Sequence, residues 1–153
     1  MLENELVKKL IQNNYKIATA ESCTGGLLAS TIIGVADASK VLDVSFVTYA
    51  VSAKEKFCGV NPETVEKFDV VSENVAREMA IGVKETSKAN VGVGITGLAG
   101  PAGGTPEIRV GTVCFGISIN DAVYSYTNIF DGSRNEVREK AVNFAIQKLL
   151  ELL

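Results

Sequence analysis

Segments with the apolar pattern of a β-strand alternate with segments patterned as α-helices along most of this 153-residue chain. Short apolar runs predict strands at 15–20, 41–49 and 91–95, and apolar residues three and four positions apart predict helices around them. Parallel strands need long crossover connections, which helices usually supply. The alternation therefore predicts an α/β domain with a mostly parallel sheet.

The last part of the chain departs from this alternation. Two apolar runs, 110–119 and 123–130, are separated by little more than Asn120-Asp121, which predicts an antiparallel hairpin. Ser133 to Glu136 then matches a capping box and predicts a final helix. We therefore predict a three-layer α/β/α single domain over residues 1–153. Its sheet is mixed and mostly parallel, with a C-terminal hairpin followed by a helix, and the strand order stays open.

The chain contains no histidine, which excludes a histidine general base, a Ser-His-Asp triad and a His-ligated zinc site. The three cysteines are an odd number without a C-x-x-C spacing, so they indicate neither a disulfide framework nor a thiolate metal site. Catalysis here would have to use other side chains, and we expect no metal and no cofactor.

Charge and hydropathy constrain the partners and the compartment. The net charge of -3 argues against a nucleic-acid groove. The first residues lack the apolar core of a signal peptide, and no apolar run is long enough to cross a membrane. We therefore expect a cytoplasmic protein with neither a nucleic-acid nor a membrane partner, and a homodimer is one possibility.

Several polar residues follow the predicted strands where those strands end. Ser22, Tyr49 and Thr96 each lie at or just past the carboxyl end of a different strand, and the hairpin returns the chain so that Arg134 reaches the same edge. Open α/β sheets bind their ligands at this edge. Four separate segments therefore predict one crevice.

Each of these residues also has an ordinary structural explanation. Ser22 or Thr24 could simply cap a helix, and Tyr49 could be a half-buried aromatic of the sheet. Lys54 could be a solvated lysine, and Arg134 an exposed residue of the last helix. Only the coincidence of all these positions at one edge favours a site.

Several motifs together resemble one known family. These are the stretches 19–26, 46–49 with Ala53-Lys54, 71–73, 96–107 and 110–113, in this order and covering nearly the whole chain. They strongly resemble the CinA C-terminal domain family, the nicotinamide-nucleotide amidases (PncC). The resemblance implies deamidation of nicotinamide mononucleotide to nicotinate mononucleotide and ammonia, within a small-molecule nucleotide site.

The resemblance also implies roles for individual residues. Ser22 would be the nucleophile, with Tyr49 and Lys54 handling its proton, and Thr96, Gly97 and Arg134 would contact substrate. Without histidine, a neutral lysine could take the Ser22 proton directly or through Tyr49. Backbone amides of the turn after Ser22 could stabilise the oxyanion. The residues of that turn are Cys23, Thr24, Gly25 and Gly26.

Two alternatives stay open. The family typically has Ser-Asn after the tyrosine, whereas this chain has Ala50-Val51, so a catalytically silent nucleotide-binding or regulatory module is one alternative. The other is a cysteine enzyme that uses Cys23, since a thiolate is favoured at a helix start. A DNA-related role, which only the family name suggests, has no support from individual residues.

Overall fold

The computed structural model describes residues 1–153 and contains one five-stranded sheet with helices on both faces. The elements are α1 (Leu2–Gln12), β1 (Ile17–Glu21), α2 (Leu27–Ile33), a 3-10 turn (Ala38–Lys40), β2 (Phe46–Val47), α3 (Val51–Cys58), α4 (Pro62–Phe68), α5 (Glu73–Ser87), β3 (Val91–Gly97), β4 (Thr112–Ile119), β5 (Ala122–Ile129) and α6 (Arg134–Leu152).

The strand order is β2-β1-β3-β4-β5. Strands β1, β2 and β3 are parallel, β4 is antiparallel to β3, and β5 reverses direction again. Four strands therefore run one way, and the ends of β1, β2, β3 and β5 lie at one edge of the sheet. The predictions of a mixed, mostly parallel sheet and of a C-terminal hairpin followed by a helix are confirmed.

Two helical layers cover the sheet because strand side chains alternate between its faces. On one face, Ile17, Val93 and Phe115 pack in a core cluster with residues of α1, α2 and α6. On the other face, Ala18 and Ala20 pack against α5. The three-layer architecture follows from this alternation.

Polar side chains begin three of the helices where the sequence predicts them. Asn61 and Ser72 accept hydrogen bonds from backbone amides at the starts of α4 and α5. Ser133 and Glu136 form the predicted capping box of α6. Such caps satisfy amides that have no partner within the helix.

The segment between α2 and α4 differs from the sequence prediction. The strand predicted over 41–49 is only Phe46–Val47, an edge strand that pairs through two residues of β1. The helix α3 was not predicted, because only Lys54 and Cys58 of its eight residues are buried. An amphipathic pattern needs a longer apolar stripe than this helix has.

None of the helices combines the length and the apolar character needed to cross a lipid bilayer.

Candidate active site

Two consecutive residues at the end of β1 send polar side chains to opposite faces of the sheet. The Glu21 carboxylate faces α2 and accepts hydrogen bonds from the backbone amides of Leu28 and Ala29, both at 2.9 Å. The Ser22 hydroxyl faces α3 and lies 3.0 Å from the amine of Lys54. The alternation of strand side chains thus lets one short sequence anchor a helix on one face and place a hydroxyl beside Lys54 on the other.

Three oxygen atoms surround the Lys54 nitrogen. The backbone carbonyls of Thr48 and Tyr49 lie at 2.7 Å and 3.0 Å, and the Ser22 hydroxyl at 3.0 Å. Carbonyls can only accept, so two N–H bonds of the amine must point at them. A neutral amine has no third N–H bond, and its lone pair would accept the Ser22 proton, for which the Tyr49 carbonyl, 3.4 Å from the Ser22 hydroxyl, is the other acceptor. This is the arrangement that a general base requires.

The environment of Lys54 favours its neutral form. The side chain is 1% exposed, and none of the chain's three salt bridges involves it. Burial lowers the pKa of Lys54, while the sulfurs of Cys23 and Cys58 act in the opposite direction. The alternative of a solvated surface lysine is therefore wrong, because α3 turns this side chain into the interior.

Tyr49 contributes its backbone carbonyl, and not its hydroxyl, to the Ser22–Lys54 pair. Its ring is 63% exposed, and its hydroxyl accepts a hydrogen bond from Arg134 at 3.2 Å. The alternative of a half-buried sheet aromatic is thus wrong. The Tyr49 hydroxyl makes no hydrogen bond to Ser22 or Lys54, whereas the Lys54 amine reaches the Ser22 hydroxyl directly.

Arg134 holds two segments together at the mouth of the site. In addition to its bond with Tyr49, its guanidinium donates to the carbonyl of Gly100 at 2.7 Å. The first residue of α6, an exposed tyrosine and the glycine-rich loop after β3 therefore meet at one point. This places a cation at the edge where β1, β2 and β3 end.

Cys23 is the residue of the alternative cysteine mechanism. Its side chain is 6% exposed and belongs to the core beneath α2. Burial raises the pKa of Cys23 to about 11. The thiol is therefore protonated at neutral pH, and since the thiolate is the reactive form, the structure disfavours Cys23 as the nucleophile.

The two threonines among the predicted site residues use their hydroxyls inside the protein. Thr24 donates to the Glu21 carboxylate at 2.7 Å, and Thr96 donates to the Val70 carbonyl at 3.0 Å. Both side chains are buried. Contacts of Thr24 and Thr96 with a substrate would therefore have to use their backbone groups.

The glycines among the predicted site residues meet conformational or steric demands. Gly25 and Gly26 have φ of +60° and +95°, a region that glycine adopts without strain. At Gly97 a Cβ atom would lie 2.7 Å from the carbonyl oxygen of Thr112, so any side chain there would disturb the pairing of β3 with β4.

Backbone amides are available in the turn after Ser22. The Gly25 amide donates to the Ser22 carbonyl at 3.0 Å, whereas the amides of Thr24 and Gly26 donate to no acceptor within the protein. Free amides next to a nucleophile are the usual donors to an oxyanion. The turn can therefore supply this function.

Sequence reasoning did not assign roles to Glu21 and Arg138. The Glu21 carboxylate is fully buried and accepts four hydrogen bonds, two of them from the hydroxyls of Thr19 and Thr24. Arg138 donates to the backbone carbonyls of Cys23 and Thr24. Two sequence features could have pointed to these residues. Glu21 is an acidic residue at the end of an apolar strand, and Arg138 lies four positions after Arg134, on the same face of the helix.

Other parts of the molecule lack a comparable arrangement of reactive groups. No three His, Cys, Asp or Glu side chains are grouped so that they could hold a metal ion. The largest cavity, about 420 Å³, lies between α1 and the turn after α2, where the lining includes Val7, Ile11 and Val35. The chemistry of Ser22 and Lys54, and not cavity size, identifies the candidate site.

Known proteins are similar to this chain in sequence and in fold. The chain is 39% identical over 152 residues to a CinA-like protein of Petrotoga mobilis and 44% identical over 145 residues to one of Kosmotoga olearia. These alignments cover 99% and 95% of this chain but 38% and 35% of the relatives. The chain thus spans little more than a third of the length of these curated relatives.

Solved structures match the chain over nearly their whole length. A CinA superfamily protein of Escherichia coli has a TM-score of 0.96 at 40% identity, covering 99% of this chain and 88% of that one. The competence/damage inducible protein CihA of Agrobacterium tumefaciens has a TM-score of 0.91 at 37% identity, covering 99% and 96%. The sequence profile of the CinA C-terminal domain matches residues 1–153, and this chain belongs to that family.

Proposed function

We propose that this chain is an amidohydrolase that converts nicotinamide mononucleotide to nicotinate mononucleotide and ammonia. The observation that carries the proposal is the buried Lys54 amine, which lies 3.0 Å from the Ser22 hydroxyl while two carbonyls occupy its N–H bonds. A serine beside a neutral amine suits attack on a carboxamide. The choice of substrate rests on the family resemblance.

In the proposed reaction, the Ser22 oxygen bonds to the amide carbon and its proton passes to Lys54. The electron pair of the carbonyl double bond moves to the oxygen, which backbone amides of the turn stabilise. Collapse of this intermediate breaks the C–N bond, and Lys54 returns the proton to the leaving nitrogen, so that ammonia departs. Water then cleaves the ester in the same way and regenerates Ser22.

Arg134 and Tyr49 stand at the mouth of the site in this proposal. The exposed guanidinium of Arg134 is suited to the substrate phosphate, since arginine pairs well with phosphate oxygens. The Tyr49 hydroxyl accepts a hydrogen bond from Arg134 at 3.2 Å, and by holding the guanidinium in place it would support substrate binding. Its backbone carbonyl, in contrast, holds the Lys54 amine.

Ammonia release from nicotinamide mononucleotide tests the proposal. We expect turnover by the wild type and a loss of several orders of magnitude in kcat for Ser22→Ala and Lys54→Met, because members of a nucleophilic set act together. The exposed Ser52 of α3 provides the control, and Ser52→Ala should keep wild-type activity. Wild-type turnover by Ser22→Ala would refute the assignment of the nucleophile.

A separate variant distinguishes the two functions of Tyr49. Tyr49→Phe removes the hydroxyl and leaves the carbonyl that holds Lys54, so KM should rise severalfold while kcat stays near the wild-type value. A fall in kcat as large as that of Ser22→Ala would show that the hydroxyl does carry the proton.

A second candidate function is a catalytically silent nucleotide-binding module. It is favoured by Ala50 and Val51, which present apolar side chains to solvent beside Tyr49. This candidate predicts that nicotinamide mononucleotide raises the melting temperature of the protein without release of ammonia. Turnover of about 1 to 10³ per second, as in ordinary enzymes, would exclude it.

A further inference from the structure

The guanidinium of Arg138 forms hydrogen bonds to the turn that follows Ser22. Its Nε donates to the Cys23 carbonyl at 2.9 Å, and its Nη2 donates to the Thr24 carbonyl at 3.0 Å. A third bond, from Nη1 to the Asn135 side chain at 2.9 Å, fixes the plane of the guanidinium. Arg138 thus engages two successive peptide groups of the turn from one side.

Because a peptide unit is planar, the direction of its carbonyl fixes the direction of its N–H bond, and these contacts therefore orient two backbone amides. In a planar trans peptide, the N–H bond points away from the carbonyl of the same unit. The carbonyls of Cys23 and Thr24 point at Arg138, so the amides of Thr24 and Gly25 point away from it. The Gly25 amide indeed reaches the Ser22 carbonyl at 3.0 Å, whereas the Thr24 amide has no acceptor within the protein.

We propose that Arg138 is a positioning residue that aims the Thr24 amide as a donor to the oxyanion formed at Ser22. This inference rests on the proposed serine amidohydrolase function and adds a residue to its machinery. Arg138 acts through the peptide backbone, since its hydrogen bonds go to the Cys23 and Thr24 carbonyls and to the Asn135 side chain. Preorganised donors of this kind stabilise the charge of the transition state more than that of the bound substrate.

The neighbouring glycine is consistent with this role. Gly25 has φ of +60°, and a Cβ atom built on it would lie 3.3 Å from Nη2 of Arg138. A glycine at this position therefore serves both the left-handed turn and the close approach of the guanidinium. Arg134 differs from Arg138, because its side chain is exposed at the mouth of the site and its bonds are to Gly100 and Tyr49.

Steady-state kinetics of Arg138→Met provide the first test. Loss of a complete oxyanion donor costs about 10²- to 10³-fold in kcat, so a donor that is present but misdirected should cost about 10- to 100-fold. KM should change by less than about twofold, because substrate binding is not touched. Arg77, whose guanidinium contacts Ser125 of β5, provides the matched control, and Arg77→Met should keep wild-type kinetics.

Chemical rescue separates positioning from a general loss of structure. In Arg138→Ala, millimolar guanidinium chloride should restore part of kcat, whereas urea, which is similar in shape but uncharged, should not. Arg138→Lys should retain an intermediate kcat because its ammonium donates to the carbonyls with poorer geometry. A raised KM at unchanged kcat in these variants, or equal effects of guanidinium and urea, would overturn the proposal.

Labelling of Ser22 by a fluorophosphonate tests the role of the Thr24 backbone amide without using a carboxamide substrate. The phosphoryl oxygen gains charge during attack, so Arg138→Met should be labelled about tenfold or more slowly than the wild type. If the wild type is labelled but releases no ammonia, the proposed substrate is wrong, and the labelling rates alone decide on Arg138. Equal labelling rates overturn the role of Arg138, and a wild type that is neither labelled nor active overturns both proposals.

Discussion

The Lys54 side chain shows how strongly one buried group depends on its surroundings. It is among the largest fully buried side chains of the protein, and the other side chains in that group are all apolar. Burial would be costly for an ammonium without a counter-ion, and the protein instead lowers the pKa of the group. The neutral, basic form of Lys54 is therefore easier to reach than that of a solvated lysine.

The pH dependence of catalysis should follow this lysine. The reactive form is the neutral amine, so kcat/KM should fall as the pH drops through the lowered pKa of Lys54, below its ordinary value of 10.5. The limiting slope should be about tenfold per pH unit, as for one proton. Activity measured between about pH 5 and about pH 10 and a ¹⁵N NMR titration of the Lys54 amine should give the same midpoint.

No histidine is available to explain an acidic limb in that profile. A profile that stays flat through the NMR midpoint of Lys54 would contradict its role as the base. Arg138→Met provides a useful comparison, because misdirection of an oxyanion donor should lower the plateau of the profile and leave its midpoint unchanged.

The start of α2 depends on a residue from the preceding strand. Its N-cap residue is Gly26, which has no side chain to accept from the first amides of the helix. Glu21 takes this function from the end of β1 by accepting hydrogen bonds from the amides of Leu28 and Ala29. A carboxylate is well suited to this position because it complements the partial positive charge of the amides.

Glu21→Gln should therefore destabilise the protein. The amide side chain keeps the shape of the carboxylate, but its NH₂ group would face donors, leaving buried groups unpaired at a cost of about 2–3 kcal/mol. Urea unfolding measures the change. Glu136→Gln is the control, since glutamine also satisfies a capping box and should cause a much smaller loss. Equal losses in the two variants would show that Glu21 has no special role.

The helix α3 lacks a cap at its start. Its N-cap residue is Ala50, which has an extended conformation and no side-chain hydrogen bond. A helix that carries the proposed base but has no cap relies on its packing for its position.

Ala50→Ser should stabilise the protein by about 0.5–1 kcal/mol, because a serine oxygen can accept from an amide of the first turn. Urea unfolding again measures the effect. Ala53→Ser within the same helix is the control and should destabilise slightly, since serine forms helices less readily than alanine. No gain from serine at position 50 would mean that this helix start cannot use a cap.

The position of Lys54 also depends on how the layers of the whole molecule pack. The end of α3 lies directly on α5, and a Cβ atom built on Gly82 of α5 would be 1.7 Å from the carbonyl oxygen of Cys58. On the other side of α5, Gly94 of β3 lets the helix backbone approach, since a Cβ atom there would be 2.4 Å from the Ala76 carbonyl. Gly82 thus permits the close spacing of α3 and α5, and Gly94 permits the close spacing of α5 and β3.

Gly82→Ala should separate α3 from α5 and disturb the site at a distance. We expect a loss of about 1–3 kcal/mol from overpacking, measured by urea unfolding, together with a lower kcat because α3 carries Lys54. Gly34→Ala is the control, since Gly34 has a φ of -63° and follows α2 away from this contact. Unchanged stability and unchanged kcat in Gly82→Ala would refute the coupling.

Local patterns were sufficient to predict several parts of this protein. The capping box at Ser133, the hairpin around Asn120-Asp121 and the start of α5 at Ser72 all depend on residues close in sequence, and the structure contains each of them. The alternation of strands and helices likewise predicted three layers. The absence of histidine restricted the chemistry before any contact was known.

Tertiary structure alone decided the remaining features. The burial of Lys54, the exposure of Tyr49 and the contact of Arg138 with the turn after Ser22 join residues from separate elements. The sequence pattern records which residue types are present, but a pKa depends on solvent access, and the direction of an amide depends on what holds its peptide group. These quantities are set only when the layers pack, which is why a family resemblance could point to Ser22 and Lys54 but nothing in the sequence assigned a role to Arg138.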